Sequence, residues 1–492
     1  MPLPTPAPKP DTLAESHALI EALWAEVNAL RPLRDVVSQL EAKVAEQQAQ
    51  IQELSDRLGK SSRNSSLPPS SDSVAQRAKR KKRPRSNRQQ GAQPGHQGHQ
   101  RDLLDESAVN EVHQYFPSGQ CDCGAAVAID ADPSHRHQVF DLPPVQYTVT
   151  EHQVFDGVCQ GCGKKHRGAW PHWISSGQMG PGLIAWIVLM AGQFHLSIRQ
   201  IQALLREQWQ LDFSIGAISQ AQGKALPWLA RHYQDIGEHV RSQSVVHADE
   251  TRYFLGAEAR WLWAMATDTA LYLMAHYSRG KAAAKALLDG YGGVLVTDHY
   301  PGYNDHDRSR RQLCWAHLIR HFTAMSERAG SASTVGARLL RTAQLVIHVR
   351  HRFDRGEIEY DRYRRRIERL RSYFCRWLEI GALGAADSRT TRQCRHLLRD
   401  VSMCWTFMDD LRIPLTNNTA ERGLRQYVIW RKLSYAVQSG RGECFVPMVL
   451  SVIGTAQRLG ISTYQLLRQS SAEYVATGRV STAMPLGTTR LA

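Results

Sequence analysis

Residues 245–254 read VVHADETRYF, a β-branched run that ends in two adjacent carboxylates, Asp249 and Glu250. Successive side chains of a strand point to opposite faces, so Asp249 shares a face with His247 and Val245 while Glu250 looks the other way. Only one of the two can serve a given site, and a solvated strand end is the competing reading. A second acid, Asp298, ends a later apolar run, GVLVTDHYPGY, with the runs RWLWAMAT and ALYLMAHY and the helical stretch RGKAAAKALLDG between them. The expected order is strand, strand, strand, helix, strand, with an acid ending the first and the fourth strand. Carboxylates on neighbouring strands can converge on a divalent cation, which prefers hard oxygen ligands. A third carboxylate is expected on a later helix. TNNTAERGLRQYVIWRK supplies Glu421 in a first turn capped by Asn418 or Thr419, with Arg422 and Arg425 beside it and Arg431 and Lys432 farther along. These four cations are candidates to hold an anionic partner, although an i,i+4 pair between Glu421 and Arg425 competes for that arginine.

Of nine cysteines, four fall in two tight pairs, Cys121-Asp-Cys123-Gly and Cys159-Gln-Gly-Cys162-Gly. Two Gly-trailed knuckles separated by β-like runs such as VQYTVTEHQVF are the pattern of a zinc ribbon, so Cys121, Cys123, Cys159 and Cys162 are candidate Zn2+ ligands. The first knuckle is C-x-C, which strains tetrahedral ligation and brings in His137 or His166 as substitutes. Reduced cysteines packed in a core are the alternative. Cys314 and His317 lie one turn apart with ligand spacing, but without a second pair they read as a packed core motif.

The elements that must position these groups belong to a chain of 492 residues with 42% hydrophobic content, which predicts two to four domains with real cores. A formal net charge of +15 is unusual for an enzyme of small metabolites and suits a polyanion, nucleic acid first. No stretch approaches the roughly eighteen apolar residues of a membrane span. The start, MPLPTPAPKPDT, lacks the pattern of a signal peptide, so a cytoplasmic protein working on DNA is expected. Leu30, Leu33, Val37, Leu40, Val44, Ile51, Leu54 and Leu58 recur at spacings of three and four, a heptad seam that predicts a coiled coil and a homo-oligomer, with Pro32 starting or breaking the helix. RAKRKKRPRSNR, with Arg80, Lys81, Lys82 and Arg83 at its centre, predicts sequence-independent phosphate contacts from a disordered segment. SIRQIQALLREQWQ, LDF and SIGAISQAQGKAL predict a helix, a turn and a helix, with Ser197 and Gln200 as a capping box and Ser214 as a second cap.

Taken in order, SSRNSSLPPSSD, GAQPGHQGH, the two knuckles, ADET, TDHYPGY, CWAHLIRHF and NNTAERGLRQYVIWRK resemble the insertion-sequence-66 family of bacterial transposases, over about residue 20 to residue 470. The resemblance implies a DDE transposase with an RNase H-like catalytic domain in which Asp249, Asp298 and Glu421 are the three acids holding Mg2+ or Mn2+. It implies as partners the element's terminal inverted repeats and target DNA, with small accessory proteins of the same element. The family often reads Asp-Asn-Asn ahead of the glutamate, whereas this chain has Thr416-Asn417-Asn418. A non-catalytic DNA-binding or transposition-regulating relative is the alternative. The expected architecture is multidomain α+β. A disordered N-terminus (1–18) leads to a coiled coil (19–59), a disordered basic linker (60–109), a zinc-ribbon-like module (110–175) and a helix-turn-helix region (176–240). The RNase H-like α/β core (241–324 and 411–475) is interrupted by a helical insertion (325–410) and followed by a tail (476–492).

Overall fold

A computed structural model of the chain describes residues 12–59, 102–117, 119–142, 146–171, 174, 177–384, 388–434 and 437–487. The chain divides into two compact units, Met1–Arg83 with Arg320–Ala337 and Pro84–Ile319 with Arg338–Ala492.

In the first unit, helix α1 (Leu13–Gly59) starts earlier than expected and runs through Pro32. Its start is set by a reciprocal cap. The Thr12 hydroxyl accepts from the Glu15 amide and the Glu15 carboxylate accepts from the Thr12 amide, each at 3.2 Å. An interior proline removes the bond its own nitrogen would donate and crowds the carbonyl four residues earlier, a cost that the many other turns of a 47-residue helix offset. Ile20, Leu23, Val27, Leu30, Val37, Leu40 and Val44 are each about half exposed. The seam therefore begins well before Leu30. From Val27 the spacing runs three, three, four through Leu30 and Leu33 to Val37, so the heptad slips by one residue at Pro32.

In the second unit, β1 (Asp156–Val158) and β2 (Lys165–Arg167) form a short antiparallel hairpin. The run VQYTVTEHQVF, expected as strand, is irregular over its described residues 146–155. Tyr147, Val149 and Phe155 are exposed, and an alternating pattern makes a strand only where one face is covered. Helices α2 (Pro181–Gly192), α3 (Ile198–Trp209) and α4 (Ile215–Arg241) follow. Ser197 and Gln200 cap α3 reciprocally and Ser214 caps α4. Beyond its first turns α4 buries Trp228, Leu229, Ile236 and Val240 in the main core.

The sheet has the order β5-β4-β3-β6-β7. Strands β3 (Val245–Leu255), β4 (Glu258–Ala266) and β5 (Leu271–His276) are an antiparallel meander. After α5 (Lys281–Leu288), β6 (Val294–Thr297) pairs parallel to β3, and β7 (Arg311–Leu313) pairs parallel to β6. Helices α6 (Trp315–Ser326), α7 (Ser331–Asp354), α8 (Tyr360–Gly384) and α9 (Ser388–Arg399) come before α10 (Asn418–Leu433), α11 (Gly440–Leu459) and α12 (Thr463–Thr477). Side chains close both edges of the sheet. On β5 the Leu271 and Leu273 amides donate to Thr455 Oγ1 (3.1 Å) and Ser451 Oγ (2.9 Å) of α11. On β7 the Arg311 carbonyl accepts from Thr406 Oγ1 (2.5 Å) and Gln312 Oε1 accepts from the Phe407 amide (2.8 Å).

Candidate active site

The face of β3 that carries Asp249 is fixed by its neighbours. His247 Nδ1 lies 3.1 Å from Oδ1 of Asn417, the residue before α10, and the Tyr253 ring lies 5.2 Å from that of Tyr427 on α10. Helix α10 therefore covers the odd-numbered face of β3, with Glu421 in its first turn. Asp298 comes directly after β6, and the parallel register pairs His247 with Val296. Asp249 stands two residues beyond that pair on β3 and Asp298 one residue past the end of β6, at the same end of two paired strands; among the described residues Asp249, Asp298 and Glu421 do not form a group with ligand atoms within 4.8 Å of one another.

Asp249, Glu250 and Asp298 all feel one another's charge, and burial and then Asp298 raise the Glu250 carboxyl as well. Burial, then the charges of Glu250, Asp298 and Glu421, hold the Asp249 carboxyl well above the usual carboxylate range. A hydrogen bond from the Glu250 amide to Asp249 Oδ1 (2.9 Å) opposes them. Asp298 Oδ1 accepts from the Tyr300 amide at 2.9 Å.

Asn417 joins helix to strand. Its Nδ2 donates to the Ala248 carbonyl at 2.7 Å and its amide donates to Cys314 Sγ at 3.1 Å. With Nδ2 donating, Oδ1 is the acceptor, so the proton on His247 is at Nδ1. The Asn417 carbonyl accepts from the Glu421 amide at 3.2 Å. One fully buried side chain thus ties the glutamate's helix to the residues immediately before Asp249. The cap was expected at Asn418 or Thr419. Asn417 holds it, without a side-chain bond to the helix, because its amide group is used on β3.

Glu250 is no solvated strand end, since its side chain is 2% exposed. On the even-numbered face Oε1 accepts from Arg279 Nε (3.0 Å) and Nη2 (2.8 Å), and Oε2 accepts from the Tyr303 hydroxyl (2.8 Å). The Arg279 guanidinium lies 4.1 Å above the Tyr300 ring and 4.8 Å above that of Trp261. Behind Asp298, fully buried Arg311 donates from Nη1 to Asn304 Oδ1 (2.9 Å) and from Nη2 to Thr297 Oγ1 (3.1 Å), fixing the end of β6.

Cys314 is fully buried, as a packed core motif would have it, and α6, which it leads into, brings His317 toward Glu421. His317 Nδ1 lies 3.6 Å from Glu421 Oε1, and the ligand atoms of Cys314, His317 and Glu421 lie within 4.8 Å of one another. A second group joins His299, next to Asp298, with His396 and Asp400 at the end of α9. There the His299 Nε2 to Asp400 Oδ2 distance is 2.9 Å, and Arg308 and Arg399 already stand at 3.4 and 3.6 Å from Asp400 Oδ1.

Each cysteine pair sits in its own tight turn, one closed by the Gly124 amide on the Cys121 carbonyl (2.8 Å) and the other by the Gly163 amide on the Cys159 carbonyl (2.9 Å). Both trailing glycines have φ in the left-handed region, +87° and +70°. Among the described residues, no group of three or more ligands within 4.8 Å includes Cys121, Cys123, Cys159 or Cys162, so the structure forms the knuckles but does not gather them. Arg422, Arg425 and Lys432 are exposed on α10, while Arg431 donates to the Arg252 carbonyl and lies 5.8 Å over the Tyr427 ring. Arg80, Lys81, Lys82 and Arg83 lie outside the described residues.

Sequence reasoning missed Asn417, Arg279, Tyr303 and Arg311. The triplet RQL of β7 reads as part of the charged run RSRRQL, and nothing in that run marks Arg311 as buried.

Residues 176–443 match the family model described as Transposase IS66 family, and residues 4–102 match a family of unknown function, DUF6444. The uncharacterized protein y4qI of Sinorhizobium fredii (strain NBRC 101917 / NGR234) is 27% identical over 399 residues, covering 72% of this chain and 70% of its own length. The uncharacterized protein y4jD of the same strain is 24% identical over 341 residues, covering 63% of this chain and 66% of its own length.

Proposed function

The chain belongs to the IS66 family of transposases, and on that premise we propose that it cuts the ends of an insertion sequence and joins them to target DNA, with Asp249, Asp298 and Glu421 as its catalytic acids. The observation that carries this reading is the tie that buried Asn417 makes between the first turn of α10, which bears Glu421, and the residue before Asp249 on β3, beside the strand β6 that Asp298 follows; burial and the charges of Glu250, Asp298 and Glu421 raise the Asp249 carboxyl in keeping with it. Buried like charges are costly without a counter-charge. Hard oxygen donors in that setting fit Mg2+ or Mn2+. Such a cation, when bound, activates an oxygen nucleophile and stabilises the leaving oxygen of an in-line phosphoryl transfer, so no side-chain nucleophile is required.

The remaining residues position these acids and the DNA. Asn417 fixes the approach of Glu421 to β3, Arg311 fixes the end of β6, and the Arg279, Tyr303 and Glu250 network anchors β3 from its other face. The strand order, an antiparallel three-stranded meander extended by two parallel strands, supports an RNase H-like reading of the sheet, with the helices between β7 and α10 as its insertion. Helices α3 and α4 are read as a helix-turn-helix. Arg422 and Arg425, exposed beside Glu421, and Lys432, exposed in the last turn of α10, suit a phosphate backbone. Residues 77–88 add sequence-independent contacts, the α1 seam pairs two copies, and the knuckles are read as a ribbon that takes Zn2+ when brought together. Accessory proteins of the same element complete the assembly.

The test is Mg2+-dependent cleavage and joining of DNA bearing the element's terminal repeats. Asp249→Asn, Asp298→Asn and Glu421→Gln should each abolish both steps while leaving folding and repeat binding nearly intact. Strand transfer retained in any of the three refutes the triad. A wild-type chain that binds the repeats but never cuts them is a DNA-binding relative without catalysis.

A further inference from the structure

We propose that Cys314, His317 and Glu421 form a binding site for a thiophilic divalent cation of the Zn2+ class, separate from the hard-oxygen site but sharing Glu421 with it. Cys314 leads into α6, and His317 follows one turn later on the same helix face. Glu421 comes from the first turn of α10, so the site bridges two elements. Zn2+ binds sulfur at about 2.3 Å and nitrogen or oxygen at about 2.0–2.2 Å, which places tetrahedral neighbours roughly 3.3–3.6 Å apart. His317 Nδ1 and Glu421 Oε1 already stand at 3.6 Å. All three ligand atoms fall within 4.8 Å of one another, so closing on an ion takes side-chain movements of about 1 Å.

The surroundings suit the ion. The Asn417 amide points at Cys314 Sγ from 3.1 Å, a donor that partly offsets the burial and the Glu421 charge holding the free thiol's pKa above its ordinary value; displacing that proton is the work a soft cation does on binding. Asp249 feels the charge of Glu421, so the neighbourhood is anionic. The His299, His396 and Asp400 group is different, because Arg308 and Arg399 already neutralise its carboxylate.

Sulfur and imidazole favour Zn2+ or Co2+ over Mg2+, so the site discriminates by ligand softness where the three acids do not. Binding releases the Cys314 thiol proton to solvent and forms the metal–sulfur bond without change of oxidation state. A cation held here draws Glu421 toward α6 and away from Asp249 and Asp298. The site stands on the geometry of these side chains, whether or not the acids catalyse.

The experiment is a titration of the chelator-stripped full chain with Co2+, whose thiolate complexes absorb by charge transfer. Wild-type protein should show a thiolate-to-cobalt band that Zn2+ displaces and excess Mg2+ does not. Cys314→Ser should lose that component. Glu421→Gln should weaken it by about 10–100-fold, at least the cost of losing an outer-shell partner. Any band from the knuckle cysteines is unaffected by Glu421→Gln and is subtracted. Circular dichroism checks folding, and if Cys314→Ser does not fold, Glu421→Gln at its half-exposed position decides. Superimposable titrations of wild type and folded variants overturn the proposal. Because the readout needs neither DNA nor cleavage, its failure leaves the triad assignment standing, and a refuted triad assignment leaves the geometry of this site standing.

Discussion

Replacing Asn417 by alanine tests whether the geometry of the acids depends on one buried amide. The substitution removes the Nδ2 bond to the Ala248 carbonyl (2.7 Å) and the Oδ1 bond from His247 (3.1 Å). The carbonyl and the imidazole N–H both stay buried. A buried polar group left without a partner costs about 1–3 kcal/mol, so the two together cost about 2–6 kcal/mol. The same bonds hold the start of α10 against β3, and a displacement of about 1 Å at reacting groups can cost about 100-fold in rate. Asn417→Ala should therefore lower the urea midpoint and, under conditions where it is still folded, cut Mg2+-dependent cleavage of terminal-repeat DNA by about 100-fold. Asn417→Asp keeps the acceptor for His247 but loses the donor to Ala248 and adds a fourth anion to the Asp249 neighbourhood, so it should be no better. A destabilised but folded Asn417→Ala that cleaves at the wild-type rate would refute the idea that this side chain sets the Glu421 approach.

Glu250→Gln should leave cleavage far less affected than any of the three acids, because Glu250 is occupied with Arg279 and Tyr303 on the other face. Its signature should be a lower melting temperature, and a folded but inactive Glu250→Gln would mean that Glu250, rather than Asp249, is the acid of the pair that serves the reaction. Acid should destabilise the chain through His232, which is fully buried with Nε2 2.6 Å from Ser470 Oγ, and whose pKa burial lowers from 6.5 to about 4. A depressed folded pKa means that this stability is complete above 6.5 and is lost as pH falls through about 4; the loss is about 3 kcal/mol at about 1.4 kcal/mol per tenfold in proton affinity. Urea midpoints between pH 7 and pH 4 should show the decline in wild type and a shallower one in His232→Gln, and parallel declines would remove His232 as the cause. Neutralising Arg80, Lys81, Lys82 and Arg83 should weaken binding to all DNA and flatten its salt dependence by about 0.9 for each phosphate no longer neutralised; a fall in specific binding alone would reverse the roles given to this run and to α3 and α4.

The strands that carry the acids were legible because an apolar β-branched run ending in charge is a local signal, and so were the caps at Ser197 and Ser214, which depend on residues three apart. What gives the site its shape was not. Asn417 acts on β3 across 169–170 residues of sequence, and Glu250 meets Tyr303 across 53. Nothing local distinguishes the Asp-Glu pair as one acid aimed at a helix and one buried in an ionic anchor. Cys314 and His317 had the right spacing for a metal, but their third partner, Glu421, is supplied by another helix. Pro32 and VQYTVTEHQVF depart from expectation in the opposite sense, because local propensity pointed one way while helix length in one case and missing cover in the other decided the outcome.

The hydroxyls of Ser451 and Thr455 on β5, and the Thr406 and Gln312 bonds at β7, have a bearing on assembly. An uncapped sheet margin is a template for any extended chain, and proteins that gather as several copies on one DNA would present such margins to each other at high local concentration. Here those positions are occupied from within the same chain. A second chain that met these margins would have to displace those bonds before it could add a strand to the sheet.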